Sequence, residues 1–121
     1  MMKKGMNKMD DCIFCKIASG AIPAKKIYED EYVVAFRDIK PIAPEHVLVI
    51  TRKHVETAHD FAGDLGTAGA LLVGAGNAAR AIGLDKTGYR IVINNGRDAH
   101  QEVKHVHIHM IGGRDLRWPP G

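Results

Sequence analysis

The 121-residue chain predicts an α+β fold: one five-stranded antiparallel sheet with one long and one short helix. Three observations carry this. Short β-branched or alternating runs recur along the chain and cluster as hairpins. Only the segment 64–82 repeats apolar residues at helical spacing over several turns. Nothing supplies the regular strand–helix alternation that a parallel sheet needs.

Residues 1–10 read as a flexible leader, with an alternative start at Met9, and 11–121 as a single domain with a C-terminal tail over 115–121. Phe14 to Ser19 forms a short helix that Gly20 ends. Ile27 to Asp30 and Tyr32 to Arg37 make a hairpin, the second strand carrying a β-branched and aromatic core. Pro41 and Pro44 mark an extended loop, because each biases its predecessor away from helix. His46 to Thr51 is the third strand. Asp64 to Ile82 is the long helix, with Leu65, Ala68, Leu71, Leu72, Ala75 and Ala79 as its apolar stripe and Gly83 as its stop. Its Gly69, Gly74 and Gly76 cost helix propensity and permit close packing. Tyr89 to Asn94 is the fourth strand, and His105 to Ile111 the fifth.

Charge and composition exclude several function classes. The formal charge of +3 comes entirely from Lys3, Lys4 and Lys8; without the first nine residues, 14 basic and 14 acidic side chains remain. A broad phosphate-binding face for nucleic acid is therefore not expected. The start lacks the apolar stretch of a signal peptide, and the apolar run over 68–75 is too short and glycine-broken to span a membrane. The two cysteines, spaced Cys12-Ile13-Phe14-Cys15 with no export signal, point to a reducing compartment and a cytoplasmic location.

The most informative stretch is His105-Val106-His107-Ile108-His109-Met110-Ile111. On a strand, the three histidines share one face and the apolar residues the other. The outer two then stand roughly 13 Å apart, so one metal ion cannot collect all three. The row must divide its work. Cys12 and Cys15 are soft ligands at a spacing that lets both thiolates face one ion. A redox pair is the other reading of this spacing, but that motif normally opens a helix in a parallel-sheet domain. A closed zinc site would need two histidines from elsewhere.

The histidine row resembles the signature of the histidine triad superfamily, and the chain is similar to its Hint branch of nucleoside phosphoramidate hydrolases. The resemblance runs from Cys12–Ile17 through Pro44–Ile50 to Trp118-Pro119-Pro120-Gly121. It implies a homodimer in which the sheet continues across the axis into ten strands. It implies a structural zinc ion on Cys12, Cys15, His54 and His105, with His59 the rival to His54, and no catalytic metal. It makes His107 the nucleophile that forms a nucleotidyl-histidine intermediate, His109 the contact to phosphate and departing group, and His46 an additional active-site histidine. Asp38 takes the ribose position, while Ile13, Phe14, Phe36 and Ile39 take the base pocket. Asn94, Gln101 and the backbone around Glu102 and Val103 take the phosphate turn, in which His100 replaces the usual glycine; Asn95 is the lesser candidate beside Asn94. Trp118 would approach the partner's active site and influence the leaving group.

The implied substrates are purine nucleoside monophosphate derivatives, of the adenosine 5'-phosphoramidate and acyl-nucleotide type. A dinucleoside polyphosphate hydrolase of the Fhit type is the alternative, disfavoured by the start and tail motifs. A nucleotide-binding scaffold with vestigial catalysis is disfavoured by the complete histidine set.

Overall fold

The computed structural model describes residues 11–121, so the leader expected over 1–10 lies outside the described residues. Helix α1 (Ile13–Ser19) is followed by β1 (Lys26–Glu29), β2 (Val33–Arg37) and β3 (Glu45–Thr51). A 3₁₀ turn (Ala58–Phe61) leads to α2 (Leu65–Ala81), a one-turn α3 (Leu84–Thr87), β4 (Tyr89–Val92) and β5 (His107–Gly112). The strands form one sheet in the order β1-β2-β3-β5-β4, and every neighbouring pair is antiparallel. Among the described residues no helix is long and apolar enough to cross a membrane.

The sheet is covered on both faces, which is why its inner strands read as continuous apolar runs. Val33, Ala35, Val47, Val49, Ile108 and Met110 pack toward α2. Val34, Phe36, Leu48 and Ile50 pack with Cys12, Phe14 and Ile17 of the α1 region. The same alternation sorts β5: Val106, Ile108 and Met110 enter the α2 core, and the imidazoles lie on the α1 side.

Three expectations change. Strand β5 begins at His107 rather than His105. The last ladder pair with β3 is Ile50 with His107. Before it, the His105 N–H donates to the Val103 carbonyl at 2.8 Å, and the Val106 N–H to that of Val55. His105 therefore sits in a turn. Strand β4 ends at Val92, short of Asn94. The buried stripe of α2 is Leu71, Gly74, Ala75, Ala78 and Ala79; Leu65 and Leu72 are exposed. Small residues carry the contact because the helix lies close over β2.

Of the four helix glycines, Gly66, Gly69, Gly74 and Gly76, only Gly74 meets a clash that requires it. A Cβ there would collide with Cγ2 of Val33, a fully buried β-branched side chain, whereas Gly69 and Gly76 face open space. Gly74→Ala is expected to destabilise the fold by about 1–3 kcal/mol through overpacking. Gly69→Ala should stabilise it by roughly 0.5–1 kcal/mol through helix propensity. Urea melts of the two variants check this; equal shifts would contradict the packing role of Gly74.

Candidate functional site

Strands β3 and β5 bring His46, His107 and His109 to one face, and the turn before β5 adds His105. His46 and Leu48 of β3 lie beside Ile111 and His109 of β5, which makes His46 and His109 diagonal neighbours. Their ring centroids are 5.2 Å apart, and those of His107 and His109 are 5.0 Å apart. The Phe14 ring of α1 stands edge-on at 5.0 Å from His107 and 5.9 Å from His105. His46, His105 and His107 are buried; His109 is partly accessible.

Backbone groups fix where each ring carries its proton, because a carbonyl can only accept and an amide N–H only donate. His107 Nδ1–H donates to the His105 carbonyl at 2.7 Å. Its Nε2 therefore keeps a free lone pair. His105 Nε2–H donates to the Thr51 carbonyl at 2.7 Å, leaving Nδ1 unprotonated. The Ile42 N–H donates to His46 Nδ1 at 3.2 Å, which places the His46 proton on Nε2. That Nε2–H faces His109 Nδ1 at 3.0 Å and Asp38 Oδ2 at 3.4 Å. His109 Nδ1 is then an acceptor, and its own proton sits on Nε2. His107 thus offers a free ring lone pair and His109, its ring centroid 5.0 Å away, an N–H.

Burial keeps these rings neutral. Desolvation pushes the His107 pKa below its ordinary 6.5, only partly offset by the His105 carbonyl and by the charges of Asp38 and Glu102. Desolvation, reinforced by His107 and His46, lowers His109 to about 4. His46 is lowered by desolvation against the opposing charge of Asp38. His105 is brought to about 4, again chiefly by desolvation.

Among the described residues, two groups of side chains bring metal-ligating atoms within 4.8 Å of one another: Cys12, Cys15, His54 and His105, and Asp38, His46 and His109. Their wiring separates them. In the first group, Cys12 caps α1 by accepting the Cys15 N–H, so both sulfurs face the same side. Cys12 Sγ lies 3.3 Å from His105 Nδ1, and Cys15 Sγ lies 3.2 Å from His54 Nδ1. The His105 nitrogen so presented is the unprotonated one. The His54 Nε2 is buried with no partner, so its ring is oriented through Nδ1 alone. Desolvation, together with its bond to Cys12, pushes the Cys15 thiol up to about 12, so a thiolate there needs a cation. Two soft sulfurs and two imidazole nitrogens fit tetrahedral zinc. His59 is exposed and outside the cluster, whereas His54 lies within it. In the second group, a metal on His46 Nε2 would have to displace the proton that the Ile42 amide holds there. That group is arranged for proton transfer and hydrogen bonding.

A cleft of about 740 Å³ opens beside the histidines, lined by Ile13, Phe14, Phe36, Asp38, Ile39 and Leu48, among others. Phe14 and Phe36 form its buried floor, while Ile13 and Ile39 are its exposed rim. The turn before β5 is held by Gln101. Its Nε2 donates to the carbonyls of Glu56 at 2.6 Å and Val103 at 3.1 Å, and its Oε1 accepts from the Gly96 N–H at 2.9 Å. The Gln101 amide is thus fully engaged within the chain. Asn95 is also structural, its Oδ1 accepting the Ala58 N–H at 2.8 Å. Ile93 packs on the α2 side, and Asn94 lies beyond the end of β4 in the segment that leads to the Gln101 turn. His100 adopts the left-handed conformation (φ +59°) that its position demands. Trp118 is exposed at the far end of the sheet, under the guanidinium of Arg90 at 5.7 Å.

Two participants escape sequence reasoning. The Ile42 amide and the Thr51 carbonyl set the tautomers of His46 and His105, and a backbone group leaves no residue-type signal. The prolines flanking Ile42 were the available hint, since they fix an extended loop whose amides lack sheet partners.

Comparison with known proteins agrees with this geometry. The HIT domain family matches residues 19–116. A 14 kDa zinc-binding protein of Brassica juncea is 45% identical over 114 residues, covering 92% of this chain and 100% of its own. The crystal structure of a HIT family hydrolase from Legionella pneumophila Philadelphia 1 has a TM-score of 0.86 at 47% identity, covering 91% of this chain and 99% of that one. A histidine triad protein from Clostridium difficile has a TM-score of 0.84 at 41% identity, covering 97% of each chain. With the histidine row on one sheet face and this match across most of its length, the chain belongs to the HIT domain family.

Proposed function

We propose that the protein is a nucleotide-binding hydrolase that cleaves purine nucleoside phosphoramidates and acyl-nucleotides through a nucleotidyl-His107 intermediate. The observation that carries this reading is the 2.7 Å bond from His107 Nδ1–H to the His105 carbonyl, which leaves Nε2 as a neutral nucleophile. The hydrolase from Legionella pneumophila, at 47% identity, supports hydrolysis as the reaction class.

In the first step His107 Nε2 attacks phosphorus, the phosphorus–nitrogen bond breaks, and the departing amine takes a proton. His109 Nε2–H faces the same reaction space and donates to the phosphoryl oxygen and the departing atom. Water then attacks the phosphorus of the adduct and gives a proton back to His109 Nε2, while the phosphorus–Nε2 bond breaks to restore neutral His107 and release the nucleoside monophosphate. The apolar cleft takes the base, Asp38 the ribose hydroxyls, and Asn94 with the backbone around Glu102 and Val103 the phosphate. Gln101 holds that turn in shape. Trp118 contributes to leaving-group choice from a partner subunit. A homodimer would extend the sheet from one of its two edge strands, β1 or β4. A dinucleoside polyphosphatase of the Fhit type remains a distinguishable alternative by its substrate.

Zinc on Cys12, Cys15, His54 and His105 has a structural part in this reading. When bound, it holds α1 to the β3–β5 end of the sheet. All four protein ligands close the site, leaving no position for substrate. Because α1 also carries Phe14, the ion keeps that ring against His107.

Three outcomes are expected. His107→Ala should lower turnover of an adenosine phosphoramidate by at least about a thousandfold, and rapid quenching of the wild type should trap an adenylyl adduct by mass spectrometry. Retained turnover in the variant would sink the nucleophile assignment. The second concerns pH. A lowered folded-state pKa keeps His107 unprotonated below the ordinary 6.5, so kcat/KM should stay flat from pH 8 through 6.5 and fall only in more acidic buffer; a limb at or above 6.5 would be the contrary result. Third, elemental analysis should find one zinc per chain. Its loss in Cys12→Ser should lower Tm on the order of 10 °C, with the reaction of the remaining folded protein insensitive to added divalent metal. A metal-free wild type of unchanged Tm would refute the staple.

A further inference from the structure

Cys12 and Cys15 are the only cysteines of the chain, and both are free thiols. Their Cys-x-x-Cys spacing serves two chemistries: soft metal ligation, and a dithiol that closes to a disulfide. The zinc reading uses the first. The fold also meets the demand of the second, because the pair opens a helix. Cys12 is the extended residue that caps α1, and its Sγ accepts the Cys15 N–H at 3.4 Å. Both sulfurs are thereby turned to one side, within 4.8 Å of each other. With no third cysteine to compete, an intrachain bridge has one possible pairing.

A small oxidant has a way in. Cys12 lines a cavity of about 380 Å³ with Ile13, His54 and Val103, and the exposed Glu102 and Lys104 stand at its rim. A water-sized molecule takes about 30 Å³, so a peroxide fits there. Cys15 is half-buried. The two cysteines also bracket Phe14, whose ring stands 5.0 Å from His107 and 5.9 Å from His105. Cys12 Sγ faces His105 Nδ1 at 3.3 Å, and the His105 carbonyl holds the His107 Nδ1–H at 2.7 Å. A change at the sulfurs therefore reaches the nucleophile by two short routes, one through Phe14 and one through His105.

We infer that Cys12 and Cys15 form a reversible oxidation site that governs the nucleophile: peroxide closes them into a disulfide, the pair gives up its zinc, and the His105 turn that holds His107 loosens. One thiolate attacks a peroxide oxygen; the sulfur–oxygen bond forms as the oxygen–oxygen bond breaks, and the hydroxide expelled takes a proton. The second thiolate attacks the sulfenic sulfur, forming the sulfur–sulfur bond and expelling a second hydroxide, which is likewise protonated. The two sulfurs lose two electrons in all, and the peroxide gains them as it becomes two waters. His54 and His105 are then the remaining donors of the cluster, too few for a closed site. Exchange with a small dithiol returns both thiols, ready to take zinc again. The effect on turnover rests on the hydrolase reading; the oxidation itself does not.

The zinc-loaded full chain is titrated with hydrogen peroxide and then treated with dithiothreitol and zinc. Expected are release of one zinc per chain to a chromogenic chelator and a denatured mass two hydrogens lighter, with the bridge mapped to the peptide that holds Cys12 and Cys15. In ligand-free protein the His107 ring ¹⁵N signals should shift on oxidation and return on reduction. Turnover of an adenosine phosphoramidate should fall about 10–100-fold and recover, the scale of a small misplacement of the reacting group. Cys15→His, which keeps four donors and cannot form the bridge, should hold its zinc through the same treatment. Should that variant not fold, the mapped bridge and the recovery of the wild type carry the test. Sulfinic or sulfonic products in place of the bridge would overturn the inference. So would a bridged protein whose zinc content, His107 signals and turnover match those of the reduced form. A wild type without turnover that still forms the bridge, releases zinc and shifts His107 would remove the hydrolase reading and leave the oxidation site standing.

Discussion

The carbonyl of His105 accepting the His107 Nδ1–H at 2.7 Å is the contact on which the site depends. It ties the reactive ring to main chain that the fold holds in place. That carbonyl belongs to a turn, not a ladder, and the turn is pinned from three sides. Thr51 takes the His105 imidazole hydrogen, Val103 takes the His105 amide, and Cys12 and Cys15 face the remaining ring nitrogen. A shift of His105 would move the nucleophile. The metal-ligand cluster and the nucleophile are therefore one construction, joined through a single residue.

Burial gives the second half of the design. A histidine face buried against the Phe14 ring is costly to charge, and each ring responds by staying neutral at neutral pH. Neutral rings need a defined tautomer to be useful, and main-chain amides and carbonyls define it without competing for protons. The Asp38 carboxylate lines the cleft and sets a negative charge against this row, with Glu102 acting in the same sense on His107 and His109. It is close enough to polarise His46 and distant enough, at 3.4 Å, to leave His109 the nearer acceptor.

Much of this was legible in the sequence because strand periodicity is strict. Alternation alone sorts His107 and His109 from Ile108 and Met110, and the structure keeps that sorting. The α+β class and the five strands follow from the same period. What sequence could not show is where a ladder stops. His105 continues the pattern yet lies outside β5, because β3 offers its last pairing residue at Ile50. The α2 stripe misled for a related reason. Leu65 and Leu72 are large and apolar yet exposed, whereas the close approach to Val33 places Gly74 and the alanines after it beside Leu71 in the buried stripe. Hydrophobicity ranks residues by size, and contact geometry here selects against size. The Ile42 amide and Thr51 carbonyl were invisible for a simpler reason: every residue has them.

The most direct test of the central assignment is the protonation state of the four rings, read by long-range ¹⁵N–¹H correlation spectra of the ligand-free protein at neutral pH. We expect His107 as the Nδ1–H tautomer and His46, His105 and His109 as Nε2–H tautomers, all uncharged. His107 found as Nε2–H or as imidazolium would contradict its assignment as the nucleophile.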